Sequence, residues 1–146
     1  MKASSQNPIV IVDDDDDDHY FFRKICQRLQ VPNELIFFSN AQDALQYLKL
    51  PETNPHLLLC DINMPLMNGL ELRKYINEDE ILKEKSTPFI FFSTAASHNQ
   101  VREAYRLNVQ GFFLKGQSFE EIEITLRRVI DYWELCQYPR GSHLIK

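Results

Sequence analysis

No apolar run in the chain approaches the ~20 residues needed to span a bilayer. The start, Met1-Lys2-Ala3-Ser4-Ser5-Gln6-Asn7, lacks the apolar centre of a secretion signal. Cysteine is scarce. Cys26, Cys60 and Cys136 are odd in number, widely spaced and without paired metal-ligand spacing, which fits reduced thiols in a cytoplasmic protein. Basic residues are in deficit, 16 Lys and Arg against 21 Asp and Glu, and the net charge of −5 disfavours nonspecific binding to a phosphate backbone. The four histidines, His19, His56, His98 and His143, share no metal spacing and are expected at the surface. No repeat, linker or low-complexity tract interrupts the 146 residues except one acidic run, Asp13 to Asp18.

What is present is alternation. Pro8-Ile9-Val10-Ile11-Val12 is a β-branched run that stops at the aspartates. A helix follows, capped by Asp16 or a neighbour, with Phe21, Phe22, Ile25, Cys26 and Leu29 on one face. Glu34 to Phe38 reads as a second strand. Ser39 or Asn40 then caps a helix carrying Ala41, Ala44, Leu45 and Leu48. The third strand, 56–60, is apolar throughout and delivers Asp61 at its end, after which Pro65 and Gly69 break the chain. A third helix is expected over roughly 67–79, from the spacing of Leu72, Tyr75 and Ile76. Thr87 to Phe92 forms strand four and Gly111 to Leu114 strand five. Ser97 caps the helix between them, with Val101, Ala104 and Tyr105 on one side. Ser118-Phe119-Glu120-Glu121 has capping-box order and opens a last helix striped by Ile122, Leu126, Val129, Ile130 and Trp133. Five strands alternating with five helices predict an α/β fold: a doubly wound five-stranded parallel sheet in the order 2-1-3-4-5.

In such a sheet every strand's carboxyl end points the same way, so Asp13, Asp14, Asp61, Ser93 and Lys115 meet in one crevice. Three carboxylates that close raise one another's pKa values unless a cation compensates. Oxygen ligands with few protein contacts suit Mg²⁺. A carboxylate nucleophile, a cation, an ammonium and a hydroxyl donor together make a phosphoryl-transfer site.

The motifs Val12-Asp13-Asp14, Asp61-Ile62-Asn63-Met64-Pro65-Leu66-Met67-Asn68-Gly69, Ser93-Thr94-Ala95 and Lys115 resemble the response regulator receiver domain of two-component signalling, over about residues 8 to 136. The resemblance implies a (βα)5 flavodoxin-like fold with residues 1–7 and 137–146 as flexible tails. It implies that Asp61 accepts a phosphoryl group from a phosphohistidine on a sensor histidine kinase or histidine phosphotransfer protein. Asp14 and Asp61 would bind Mg²⁺ directly, Asn63 through its backbone carbonyl, and Asp13 mostly through water. Lys115 would pair with the phosphoryl group and Ser93 swing toward it. Such a protein catalyses only its own phosphorylation and dephosphorylation. The chain beyond about residue 137 is too short for a DNA-binding or catalytic domain, so the expected output is a change of protein partner. The face bearing the fourth helix, strand five and the last helix is the family's usual switching surface, with Gln100, Val101, Tyr105, Phe112 and Phe119 as candidates.

Three positions depart from the family pattern. Gly116 follows Lys115 where a proline is usual, Phe112 stands where a tyrosine is frequent, and Ala95 lies where bulkier side chains often regulate water access. Two other readings compete. A phosphohydrolase of the haloacid dehalogenase type would use Asp13, Asp15, Ser93 and Lys115, but leaves Asp61 unexplained. A pseudo-receiver would bind partners without phosphorylation. Asp15, Asp17 and Asp18 read as a solvated acidic run, and an EF-hand fails because His19 stands where that loop needs glycine. Cys60 reads as a buried small hydrophobe.

Overall fold

The computed structural model describes residues 7–139. Its element order is β1 (Ile9–Val12), α1 (Asp16–Arg28), β2 (Leu35–Phe38), α2 (Ala41–Leu48), β3 (Leu57–Cys60), α3 (Gly69–Glu78), α4 (Glu80–Lys85), β4 (Phe89–Ser93), α5 (His98–Arg106), β5 (Gly111–Leu114) and α6 (Phe119–Leu135). The five strands form one parallel sheet in the order β2-β1-β3-β4-β5, as the sequence predicts. Crossovers of this kind place helices on both faces, and the central strands are accordingly apolar without alternation. All residues of β1, β3 and β4 are buried, whereas the edge strands β2 and β5 are partly open.

Successive side chains leave a strand on opposite faces, which divides the interior in two. Val10, Val12, Leu58, Cys60, Phe89 and Phe91 join Ala41, Ala44, Leu72, Leu82 and Ala104 beneath α2–α5. Ile9, Ile11, Leu57, Leu59, Ile90 and Phe92 meet Phe22, Ile25, Ile122, Leu126 and Val129 beneath α1 and α6, with Trp133 packed alongside. Register aligns Val12 with Phe38 and with Cys60, and Ser93 with Leu114, so the strands end level and Asp13, Asp61 and Lys115 emerge side by side.

Several expectations need correcting. There are six helices among the described residues, because Asp79 both ends α3 and caps the extra α4, accepting from the backbone N–H of Ile81 and Leu82. The helix predicted as fourth is therefore α5. Within α3, Leu72 and Ile76 are buried as expected, but Tyr75 is exposed and Arg73 takes the inward place. The Arg73 guanidinium closes the α5–β5 turn by donating to the carbonyls of Leu107 (3.1 Å) and Asn108 (2.9 Å).

His19 and His56 are buried rather than superficial. His19 tilts against the Phe37 ring and its Nε2 donates to the carbonyl of Asp13, which uses both its apolar body and its polar edge. His56, the residue before β3, receives Tyr138, whose hydroxyl donates to the His56 carbonyl at 2.8 Å. Tyr138 is itself buried, so the chain expected to be a tail from 137 stays docked at least that far. His143, residues 1–6 and residues 140–146 lie outside the described residues.

Candidate functional site

The structure brings Asp13, Asp14 and Asp61 together, with one carboxylate oxygen from each lying within 4.8 Å of the others. Asp61 follows β3 directly, and its carboxylate Oδ1 accepts from the backbone N–H of Ile62 (2.8 Å) and from the Ser93 hydroxyl (2.8 Å). It is half-buried, whereas Asp14 is exposed and Asp13 is enclosed. The acceptor loop is closed by a bond from the Gly69 N–H to the Ile62 carbonyl. A side chain at 69 would force a shift: a Cβ there would stand 2.5 Å from the Asp61 carbonyl oxygen and 2.5 Å from the Phe91 ring.

Lys115 is buried and its Nζ donates to Asp13 Oδ2 and to Asp18 Oδ2, each at 2.6 Å. Asp13 is also held through Oδ1 by the N–H of Asp15. Burial is the strongest influence on the Asp13 carboxyl and raises it; Lys115 pulls against this and the Asp61 charge adds to it, leaving the group pushed up to about 7. Burial works against the Lys115 ammonium, but the Asp13 charge and the bonds to Asp13 and Asp18 outweigh it and hold the group above its ordinary value. The Cys60 thiol is pushed up by burial and by the neighbouring Asp61 and Asp13, which makes it an unreactive core residue as expected.

These donors fit a hard divalent cation. Three carboxylate oxygens share one small volume, an all-oxygen donor set of the kind such a cation takes. Asn63, two residues past Asp61, is exposed on the same loop, and its side-chain oxygen accepts from Gln100 Nε2 at 3.0 Å.

Asp18 reads in the sequence as part of the solvated run, yet it lies in the first turn of α1 with its carboxylate turned onto Lys115. Asp15 is the N-cap of α1 and accepts from the N–H of Asp17, so it has a structural duty too. The candidate switch residues differ in their surroundings. Tyr105 is exposed and Val101 half-exposed on α5, and half-buried Phe112 tilts against Phe91 at 5.3 Å. Gln100 is committed to the α5 capping box and to Asn63. Phe119 packs edge-on against Phe21 at 5.8 Å, on the α1 side of the sheet. Gly116 follows Lys115 on a trans bond with φ +86, a left-handed turn that only glycine adopts without strain.

A doubly wound parallel sheet with an acidic, lysine-bearing pocket at its strand ends defines the class of α/β proteins whose function sits at the carboxyl edge. Within that class the chain belongs to the response regulator receiver domain family of two-component signalling, whose model matches residues 9–127. Its relatives include the probable methanogenesis regulatory protein FilR2 of Methanothrix harundinacea, 28% identical over 111 residues covering 73% of this chain and 70% of that protein. Other regulators it matches are longer, and the chain spans 40% of one and 27% of another. Among solved structures, the phosphorylated cyanobacterial phytochrome response regulator RcpA superposes with a TM-score of 0.81 at 22% identity, covering 89% of this chain and 95% of that one. The Mn²⁺-bound form of response regulator Rcp1 gives 0.80 at 22% identity, covering 91% and 99%. These two likenesses show the shared fold. Among the described residues no helix is long and apolar enough to cross a membrane.

Proposed function

We propose that this receiver takes a phosphoryl group from the phosphohistidine of a sensor histidine kinase or histidine phosphotransfer protein onto Asp61. The observation that carries this reading is the asymmetry of the three carboxylates. Asp61 is half-buried at the mouth with a hydroxyl donor on it, while Asp13 is enclosed and tied to Lys115. A carboxylate oxygen of Asp61 attacks phosphorus, the bond from phosphorus to the imidazole nitrogen breaks, and its electron pair stays with the imidazole. Ser93 gives up its bond to Asp61 and donates to a phosphoryl oxygen, and Lys115 donates to another. A Mg²⁺ ion held by Asp13, Asp14, Asp61 and the Asn63 carbonyl would supply charge neutralisation at the phosphoryl oxygens. The phosphorylated RcpA and the Mn²⁺-bound Rcp1 support the same chemistry here.

The same geometry disfavours hydrolysis of the haloacid dehalogenase kind. There the nucleophile would be Asp13, which is 1% exposed and already bonded to Lys115 and to the Asp15 N–H. The output is a change of protein partner on the edge formed by α5, β5 and the outer side of α6, read through Phe112, Val101 and Tyr105. The protein works in the cytoplasm and neither nucleic acid nor membrane is its target. Acetyl phosphate with Mg²⁺ adds one phosphoryl group to the wild type, seen by mass spectrometry of the intact protein, and none to Asp61→Asn. A folded wild type that takes up no label would make this a binding module independent of phosphorylation.

A further inference from the structure

The Lys115 ammonium has three protons and, in this chain, two carboxylates close upon it. Asp13 and Asp18 each stand 2.6 Å from Nζ, and Lys115 is 2% exposed. The two partners differ in how firmly they are fixed. Asp13 is 1% exposed and also bonded to the Asp15 N–H, so it cannot follow a moving ammonium. Asp18 is on the first turn of α1, with its side chain 14% exposed. A phosphoryl group arriving on Asp61 needs a donor from Lys115, so the bond given up is the one to Asp18.

We propose that Asp18 is a positioning residue that competes with the phosphoryl group for Lys115 and thereby limits both the rate at which Asp61 is phosphorylated and the hold on the product. This rests on the phosphoryl-acceptor reading of Asp61. The competition is local to the ammonium and is not a matter of net charge. Asp17, one residue away, is exposed, and its backbone N–H bonds to Asp15.

The test compares the apparent affinity for beryllofluoride, a phosphoryl mimic that bonds to a carboxylate, by fluorine NMR in Mg²⁺, together with labelling rates from acetyl phosphate. Asp18→Asn is expected to bind beryllofluoride on the order of tenfold more tightly and to label faster, the change that corresponds to exchanging an anionic acceptor on the ammonium for a neutral one. Asp17→Asn, which removes the same charge, and Asp18→Glu, which restores an anionic partner, are expected within about twofold of the wild type. A variant merely loosened by a lost ion pair would not gain affinity, and circular dichroism of Asp18→Asn and of a second variant, Asp18→Ser, reports that folded protein is being read. Unchanged or weaker binding in both, or equal tightening in Asp17→Asn, overturns the role of Asp18 while Asp61 still takes the mimic. A wild type that takes neither mimic nor label overturns the acceptor reading and this inference together.

Discussion

Replacing Gly69 with alanine adds a single methyl group at the narrowest point of the acceptor loop. That Cβ would meet the Asp61 carbonyl oxygen and the Phe91 ring at 2.5 Å each and the Ile62 Cα at 3.1 Å. Phe91 has no room to retreat, being fully buried with Phe89 at 5.1 Å and Phe112 at 5.3 Å. The carbonyl oxygen belongs to the residue whose carboxylate is the proposed acceptor. Overpacking of this kind costs about 1–3 kcal/mol, and the better helix propensity of alanine returns at most ~1 kcal/mol at this first helical position. A net loss of about 1–2 kcal/mol corresponds to a fall in Tm of roughly 2–8 °C for a chain of this size. Relief by moving the start of α3 also shifts Asp61, and an error approaching 1 Å in a reacting group can cost up to about 100-fold in rate. Thermal melts followed by circular dichroism, with acetyl phosphate labelling on the folded protein, measure both effects. A Gly69→Ala protein that melts within 1 °C of the wild type, by roughly the resolution of such a scale, and labels at its rate would refute the packing argument.

Two further perturbations act elsewhere. The Asp13 carboxyl, raised from 3.8 to about 7, binds its proton more tightly in the folded chain than in the unfolded one, so its contribution to stability is full below about pH 4 and lost as pH rises through about 7. Metal-free protein in a chelator should therefore lose Tm between about pH 4 and pH 7, and Mg²⁺ should flatten that slope by favouring the ionised carboxylate; parallel slopes with and without the ion would count against a cation site at Asp13. Lys85 is buried, and its Nζ donates to the carbonyls of Leu48 (2.7 Å) and Leu50 (2.8 Å) and to the Thr53 hydroxyl (3.1 Å). Lys85→Met keeps the stem and deletes these bonds, which should cost about 2 kcal/mol in urea denaturation, while Lys83→Met on the exposed side of α4 should stay within about 0.5 kcal/mol.

The sheet order and the placement of Asp13, Asp61, Ser93 and Lys115 were legible because each ends an uninterrupted apolar run, and a parallel sheet gathers such ends automatically. Partners chosen by side-chain reach were not. Asp18 carries the same letter as five neighbours, and only the start of α1 at Asp16 determines that the third of its residues faces the crevice. His19 and His56 were misplaced because imidazole polarity says nothing of a backbone carbonyl waiting beside it. The short α4 had a usable signal in Asp79 as a cap followed by Leu82 and Lys85 at helical spacing, obscured by its direct junction with α3. The contact of Phe119 with Phe21 was likewise not legible, because a cap fixes where a helix starts but not the direction of the first side chain.

The ammonium of Lys115 fastens onto residues 102 and 97 positions earlier in the chain. Closing so long a loop is entropically disfavoured until the intervening strands have already paired, so this clasp belongs among the latest contacts to form. An unfinished or partly frayed fold therefore presents its acidic tips without their lysine, and competence to signal becomes a certificate that the last strand has docked.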